Sequence, residues 1–170
     1  MPKLHYIESA IGIKAQLTIC ICWSNLLSLQ CLMPISHKME IAYKFDTIPN
    51  TADIIELYNN SGLIRPTTDK ERISKMYAHS NLIVTAWDND KLVGISRSLT
   101  DFCYCCYLSD LAVSKAYQHC GIGKKLIELT KAHIGDQVML LLLSVHTAMD
   151  YYPKVGFQKV ENGFIMKRKN

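Results

Sequence analysis

The sequence has 170 residues, a length that fits one domain and leaves little room for a second. Hydrophobic residues make up 49% and charged residues 20%, which excludes a disordered chain and a collagen-like repeat. The 19 Lys and Arg exceed the 15 Asp and Glu by only a few residues, for a net charge of +4. This small excess is spread along the chain and does not favour nucleic acid as a main partner.

The cysteines do not form the pattern of a secreted disulfide scaffold, because their number is odd and their spacing irregular. One CxxC pair, Cys103 and Cys106, has no second ligand pair of the kind that a zinc site requires. We therefore expect reduced thiols in a cytoplasmic protein without a bound metal. The seven residues are Cys20, Cys22, Cys31, Cys103, Cys105, Cys106 and Cys120.

Residues 1–38 differ in character from the rest of the chain. No charged residue lies between Lys14 and His37, and residues 15–33 are mostly apolar. As a helix, those residues would reach roughly 28 Å, about the thickness of a bilayer core. Three interpretations stay open: a helix packed on the domain surface, a leader outside the fold, and, least favoured, a membrane segment. We predict an N-terminal extension over 1–38 and one domain over 39–170.

The pattern becomes regular from Met39 onward. Residues 39–46 alternate as a strand does. Asn50 or Thr51 can cap a helix that ends at the Asn-Ser-Gly of residues 60–62. A second helix is predicted over 69–79, with Asp69 as its cap.

The second half predicts three more strands and a helix. Residues 81–88 and 91–100 flank a short Asx-rich turn and predict a hairpin, and 103–113 continues the sheet. A helix follows over about 121–133. Residues 138–145 are apolar on both sides, which predicts a fully buried central strand.

The C-terminal end predicts a short helix over 147–155, closed by Gly156, and then an edge hairpin. The two strands of that hairpin are FQKV (157–160) and GFIMKRK (163–169). The order of elements is that of a mixed α/β sheet domain.

A glycine-containing turn joins the third strand of this sheet region to the following helix. In Gln118-His119-Cys120-Gly121-Ile122-Gly123 the glycines permit a tight turn, and the helix N-terminus adds its positive dipole end. Together they are typical of a phosphate site, with Lys124 adding charge. A plain glycine-containing helix start is the alternative. The turn matches neither the P-loop nor the dinucleotide-binding fingerprint.

Two motifs resemble the GNAT superfamily of acyl-CoA-dependent N-acetyltransferases. Gln118, Gly121 and Gly123 match its Q/R-x-x-G-x-G/A signature directly after a strand. The segment AMDYYPKVGF (148–157) is similar to the A-x-x-[FY]-Y-x-x-x-G-F segment that follows the family's fifth strand. The resemblance covers about residues 39–168.

The resemblance implies a GNAT fold, a mixed and mostly antiparallel sheet with splayed central strands flanked by helices. It implies acetyl-CoA as co-substrate, held between the fourth and fifth strands. The pyrophosphate would bind the turn, the pantetheine would pair with the fourth strand, and a free backbone N–H of that strand would polarise the thioester carbonyl. The residues expected to bind acetyl-CoA are Leu111, Ala112, Val113, Gln118, His119, Cys120, Gly121, Ile122, Gly123 and Lys124.

The resemblance also implies direct attack by an acceptor amine, without an acyl-enzyme. Tyr152 matches the tyrosine that protonates the departing thiolate, and Tyr151 is expected to pack in the core. Asp110 and His146 are candidate bases, with an ordered water chain as the alternative. Cys120, at a helix N-terminus, is a less favoured nucleophile.

The acceptor is poorly marked by the sequence. Asp69, Asp101 and Asp110 could hold an ammonium group, although each could equally be a cap or turn residue. A small-molecule amine is expected, and a homodimer is left open. Two alternatives remain: acetylation of a protein lysine or N-terminus, and a non-catalytic CoA-binding regulatory module.

Overall fold

The computed structural model of the chain describes residues 40–169. The prediction of an extension over residues 1–38 lies outside the described residues and stays a prediction. The strands are β1 (Ile41–Phe45), β2 (Leu82–Asp88), β3 (Lys91–Thr100), β4 (Cys105–Val113) and β5 (Met139–Leu141). The α-helices are α1 (Thr51–Ser61), α2 (Lys70–Ala78) and α3 (Ile122–Ile134), with short 3-10 helices at Lys115–Tyr117, His146–Ala148 and Tyr152–Val155.

The first two helices begin at side-chain caps. The Asn50 carboxamide oxygen accepts a 2.8 Å hydrogen bond from the backbone N–H of Ala52. The Asp69 carboxylate accepts one of 2.9 Å from the N–H of Arg72. Such caps satisfy backbone donors that have no partner inside the helix. Both predicted helices are confirmed to within a residue or two of their expected ends.

The five strands form one sheet in the order β1-β2-β3-β4-β5. The first four are antiparallel neighbours, and β5 pairs parallel to β4. The β2–β3 hairpin and the β4 strand agree with their predicted positions. The prediction of a mixed, mostly antiparallel α/β sheet is therefore confirmed.

Helices cover both faces of the sheet. One core cluster joins α1 and α2 to one face through residues such as Ile54, Tyr77 and Ile83. A second cluster joins α3 to the opposite face through residues such as Val84 and Leu126. Neighbouring residues of β2 point to opposite faces because side chains alternate along a strand. The strands between the helices are thus buried on both sides.

The prediction that residues 138–145 form a fully buried central strand is wrong. Only Met139–Leu141 are paired, at the edge of the sheet, and Met139 is 53% exposed. The strands buried on both faces are β2 and β3. An apolar run shows that a segment can be buried, but the place of a strand in the sheet depends on which strands flank it.

The predictions for the C-terminal end also differ from the structure. Two 3-10 helices replace the helix predicted over 147–155, and Pro153 lies in the second, where it supplies no backbone N–H. No strand forms over residues 157–169, and the side chains of Phe164 and Met166 are 101% and 98% exposed. A hairpin is marginal without a sheet to join, and the three residues of β5 offer few backbone partners.

No helix within residues 40–169 combines the length and the apolar character needed to cross a membrane. The apolar run over 15–33 lies outside the described residues.

Gly94 of β3 lets α3 approach the sheet closely. A Cβ at this position would lie 3.1 Å from Ile122 Cγ2 and 3.1 Å from Leu126 Cδ1, closer than an ordinary carbon contact. We expect Gly94→Ala to lower the free energy of unfolding by about 1–3 kcal/mol, the usual cost of overpacking a core. Urea denaturation measures this change.

Gly163→Ala is the matched control. The nearest atom to a Cβ at Gly163 would be Val160 Cγ2 at 3.7 Å, an ordinary contact. We expect it to change the free energy of unfolding by less than about 0.5 kcal/mol. Equal stability of the two variants would contradict the close approach of α3 to Gly94.

Candidate active site

The turn predicted to bind phosphate follows β4 after the short 3-10 helix Lys115–Tyr117 and leads into α3. Its backbone is left-handed at His119, with φ of 64°, and at Gly121, with φ of 82°. Gly121 is the N-cap of α3 and provides no side-chain acceptor for the first N–H groups of the helix. Those donors need water or an anion, which makes the start of α3 suited to a phosphate group.

The Gln118 side chain anchors this turn. Its amide nitrogen donates to the backbone carbonyl of Val113 at 2.9 Å and to that of Ser61 at 3.2 Å. The first bond holds the turn to the end of β4, and the second holds it to the end of α1. The motif position of Gln118 is thus used to fix the turn, and its amide N–H groups are engaged with protein carbonyls.

The remaining residues of the turn differ in exposure. His119, Cys120, Gly121 and Lys124 are exposed, and Lys124 lies 3.7 Å from the carboxylate of Glu128 one helical turn later. Ile122 is only 3% exposed and packs in the α3 core cluster, so it can offer a ligand its backbone alone.

One edge of β4 is unpaired where it approaches the turn. Pairing with β5 covers only the first three residues of β4 and ends at Tyr107 opposite Leu141. Leu111, Ala112 and Val113 pair with β3 on their other side. Backbone groups on the unpaired edge require a partner, and an extended amide-containing ligand can provide one.

Tyr151 lies against the first turn of α3. A Cβ at Gly123 would be 3.1 Å from the Tyr151 hydroxyl oxygen and 3.7 Å from Val113 Cγ2. The absence of a side chain at Gly123 therefore admits a phenol beside the turn. Burial, and secondarily the charge of Glu128, raise the pKa of Tyr151 above its ordinary value.

Tyr152 lies in a neighbouring groove. Its ring makes edge-on contacts with those of Tyr151 and Phe157, with centroids 5.4 and 5.6 Å away. The groove has a volume of about 960 Å³, and α3, β5 and the C-terminal segment line it without any residue of β4 or of the turn. Burial, and then the proximity of Tyr151, raise the pKa of Tyr152, so its hydroxyl keeps its proton at neutral pH. The Tyr151 hydroxyl lies beside Gly123 of the turn, whereas the groove that Tyr152 lines includes no residue of the turn.

Asp110 is enclosed by donors. Its side chain is 0% exposed, and its Oδ1 accepts from Arg65 Nε at 2.6 Å. Its Oδ2 accepts from Arg97 Nε at 2.5 Å and from the Tyr58 hydroxyl at 2.8 Å. Both carboxylate oxygens are engaged with the protein, so neither is presented to an incoming amine. The role of Asp110 as a base stays a prediction that this geometry does not favour.

Two buried tyrosines complete the cluster around Asp110. The hydroxyls of Tyr58 and Tyr77 are 2.6 Å apart. Burial, and then Tyr77 and Asp110, raise the pKa of Tyr58 far above its ordinary value, and burial raises that of Tyr77 although its bond to Tyr58 opposes the rise. The pKa of Arg97 is lowered by burial but raised on balance by its bond to Asp110. At neutral pH the two tyrosine hydroxyls therefore keep their protons and Arg97 keeps its charge.

Sequence reasoning missed Arg65, Arg97, Tyr58 and Tyr77 as members of this cluster. A signal was present for Arg97 alone, because a charged residue inside a β-rich run needs a partner when the strand is central. Arg65 lies in the loop between α1 and α2, and its neighbour Asp110 is 45 residues away. No local pattern connects residues so far apart.

The other predicted site residues take separate places. His146 is exposed and begins a 3-10 helix. Asp101 accepts three backbone N–H bonds within the β3–β4 turn, which lower its pKa to about 2. Asp69 caps α2. Within the part of the chain that the structure describes, no group of three His, Cys, Asp or Glu side chains could hold a metal ion.

Comparisons with known proteins bear on this site. A family described as "Acetyltransferase (GNAT) domain" matches residues 60–168. Among solved structures, a probable acetyltransferase from Staphylococcus aureus is 26% identical with a TM-score of 0.66, over 76% of this chain and 100% of that one. A GNAT family protein from Streptococcus pneumoniae is 26% identical with a TM-score of 0.61, over 77% and 98%.

An aminoglycoside acetyltransferase from an uncultured soil metagenomic sample, in complex with sisomicin, is more distant. It is 21% identical with a TM-score of 0.54, over 75% of this chain and 97% of that one. This similarity shows the fold alone. No curated protein matches the sequence.

The family match covers more than half of the chain and includes β4, the glycine turn, α3 and both tyrosines. Together with the fold and the two motifs, it shows that the chain belongs to the GNAT family and is an acyl-CoA-dependent N-acetyltransferase.

Proposed function

We propose that the enzyme transfers the acetyl group of acetyl-CoA to a primary amine of a small molecule. The observation that carries this proposal is the unpaired edge of β4 running into the uncapped start of α3. An extended pantetheine can pair with the strand while the pyrophosphate binds the first N–H groups of the helix. The proposed binding residues are the ten predicted from the sequence, over 111–113 and 118–124.

The chain provides donors at both ends of the reacting group. The amine nitrogen attacks the thioester carbonyl carbon, and a backbone N–H of β4 stabilises the oxygen as it becomes negative. The carbon–sulfur bond then breaks, and the sulfur takes a proton from a phenol. We assign that donor to Tyr152 by its motif position. The proton lost by the amine passes to His146 or to water, since both oxygens of Asp110 are occupied.

We propose the small acceptor by analogy with one neighbour of the same fold, the acetyltransferase described in complex with the aminoglycoside sisomicin. The net charge of +4 does not itself mark a site for a cationic protein tail. Acetylation of a protein lysine or N-terminus is the second candidate, and a non-catalytic CoA-binding module is the third. The cytoplasm, where acetyl-CoA and reduced thiols occur, is the proposed location.

Gly121→Val tests the phosphate-binding turn. We expect CoA to raise the Tm of the unchanged protein, because a ligand that binds only the folded state stabilises it. Gly121 has φ of 82°, which a β-branched residue adopts only at a cost of roughly 1–2 kcal/mol. The variant should fold with a slightly lower Tm and lose the shift with CoA. Thermal unfolding with and without CoA measures both.

A normal CoA shift in Gly121→Val would show that the phosphate binds elsewhere. Gly135→Val is the matched control, because Gly135 also has a positive φ, of 81°, but lies at the opposite end of α3 from the turn. It should lower the Tm in a similar way while keeping the shift with CoA.

Tyr152→Phe tests the proton donor. We expect kcat to fall by roughly 10- to 1,000-fold while the KM for acetyl-CoA changes little, since the ring remains and only the hydroxyl is lost. Because burial raises the pKa of Tyr152, kcat of the unchanged enzyme should decline only above about pH 10, and this decline should vanish in the variant. Steady-state kinetics across pH provide both measurements.

Tyr151→Phe is the comparison variant. If Tyr151 only packs against α3, it should leave kcat and the KM for acetyl-CoA nearly unchanged. The Tyr151 hydroxyl lies beside Gly123, so an exchange of behaviour between the two variants would assign the donor to Tyr151. If neither variant lowers kcat, the phenol step is absent or not rate-limiting.

A thiol-release assay with acetyl-CoA across a panel of amines tests the reaction and the acceptor class together. We expect free CoA with small primary amines, aminoglycosides included, and little with lysine peptides or peptide N-termini. The reverse preference would replace the small acceptor by a protein substrate. Binding of CoA without release from any amine would favour the regulatory module.

A further inference from the structure

An extra residue interrupts β4 where its unpaired edge begins. Arg97 of β3 pairs with Asp110 and Ser98 pairs with Leu108, so Ser109 has no partner on β3. Such a β-bulge bends its strand and changes the direction of its backbone groups. Pairing with β5 covers only the first three residues of β4 and ends just before the bulge. The bulge therefore stands at the start of the edge that is proposed to receive acetyl-CoA.

Two arginines bind the bulge residue from different elements. Arg65 Nη2 donates to the backbone carbonyl of Ser109 at 2.8 Å. Arg97 Nη2 donates to the Ser109 hydroxyl, also at 2.8 Å. Arg65 belongs to the loop between α1 and α2, whereas Arg97 belongs to β3. The carbonyl and the side chain of the bulge residue are thus both fixed.

The carboxylate of Asp110 fixes the two guanidinium groups in turn. It accepts from the Nε atoms of Arg65 and Arg97 at 2.6 and 2.5 Å. A guanidinium group is planar, so binding one of its edges to a carboxylate sets the direction of its remaining N–H groups. Each arginine is oriented by Asp110 and extends a further N–H group to Ser109.

We propose that Arg65 and Arg97 are positioning residues for acetyl transfer, which hold the β4 bulge so that its backbone directs a donor at the thioester carbonyl. The proposal rests on acetyl-CoA binding along β4, as proposed above. Neither arginine touches the reacting atoms. Each acts through Ser109, whose backbone orientation sets the orientation of the neighbouring peptide groups on the unpaired edge.

A purely stabilising role explains the cluster less well. Buried ion pairs seldom exceed apolar packing of the same volume in stability, because removing the charges from water is costly. What a buried ion pair provides over apolar packing is a defined geometry of its hydrogen-bonding groups. Here Arg65 and Arg97, both bound by Asp110, converge on Ser109, a residue inside β4 that has no partner on β3.

The test uses acetyl-CoA labelled with carbon-13 at the thioester carbonyl and bound to the full chain without an acceptor. A hydrogen bond to the carbonyl oxygen lowers its infrared stretching frequency. In Arg65→Lys the charge remains, but a lysine cannot bond Asp110 and the Ser109 carbonyl with the same rigid fork. We therefore expect the infrared band of the labelled carbonyl to rise in frequency, toward its position in free acetyl-CoA.

The same variant should lower kcat by about 10- to 100-fold, the scale of a small misplacement of reacting groups, with an unchanged KM for acetyl-CoA. Arg65 is preferred to Arg97 for substitution because its side chain is 25% exposed against 6%, so the variant should fold. Ser109→Ala removes only the bond from Arg97 and should shift the band and kcat in the same direction by a smaller amount.

Arg72→Lys is the matched control, since the Arg72 side chain is exposed on α2 outside this cluster. It should leave the band, kcat and KM unchanged. An unchanged band and kcat in both Arg65→Lys and Ser109→Ala would overturn the proposal. So would a rise in the KM for acetyl-CoA at constant kcat, which would make Arg65 a binding residue.

The infrared measurement needs no acceptor, so it separates this proposal from the proposed function. Failure of acetyl-CoA to bind the unchanged protein would overturn both. A bound thioester whose band is the same in the unchanged protein and in the variants would overturn the positioning role alone.

Discussion

The buried carboxylate of Asp110 is the interaction on which much of the described structure depends. It accepts bonds from Arg65, Arg97 and Tyr58, and so joins the α1–α2 loop, β3 and α1 to β4. The two arginines satisfy a charge that would otherwise be costly to bury, and the carboxylate does the same for them. Removing one partner would leave the others without compensation. One residue of β4 thus connects α1, the α1–α2 loop and β3 on the face where an apolar cluster packs α1 and α2 against the sheet.

The opposite face depends on close packing. Gly94 admits the first turns of α3 to the sheet, and Gln118 ties the turn before α3 to the ends of β4 and α1. Consequently the start of α3 is held from both sides, although its first N–H groups have no side-chain cap. A rigid helix end whose N–H groups have no side-chain cap can bind an anion without the entropy cost of ordering its own backbone. The proposed phosphate binding would thus depend on the same contacts as the packing of α3.

The C-terminal end of the described chain has little regular structure. Beyond β5 the backbone forms short 3-10 helices and then no regular structure, and large apolar side chains such as Phe164 and Met166 are exposed. A groove lined by α3, β5 and this segment lies beside Tyr152. Because β5 pairs with β4 along three residues only, the two strands are free to diverge toward the site. The short pairing that opens the edge of β4 also leaves the last segment without a long strand to join.

The sequence by itself determined the features that depend on neighbouring residues. Asn50 and Asp69 cap helices where the pattern predicts, the β2–β3 hairpin follows its Asx-rich turn, and Gly121 begins α3 with a left-handed backbone. Each of these rests on contacts within a few residues of chain. The GNAT fold could be predicted from the sequence for the same reason, since the two motifs that indicate it are short and local. The tertiary structure alone decided that β5 lies at an edge, that Asp110 is an anchor enclosed by arginines, and that the Tyr151 hydroxyl lies beside Gly123. These outcomes depend on which distant segments become neighbours, and burial and hydrogen bonding across the sheet are set only when the strands have assembled.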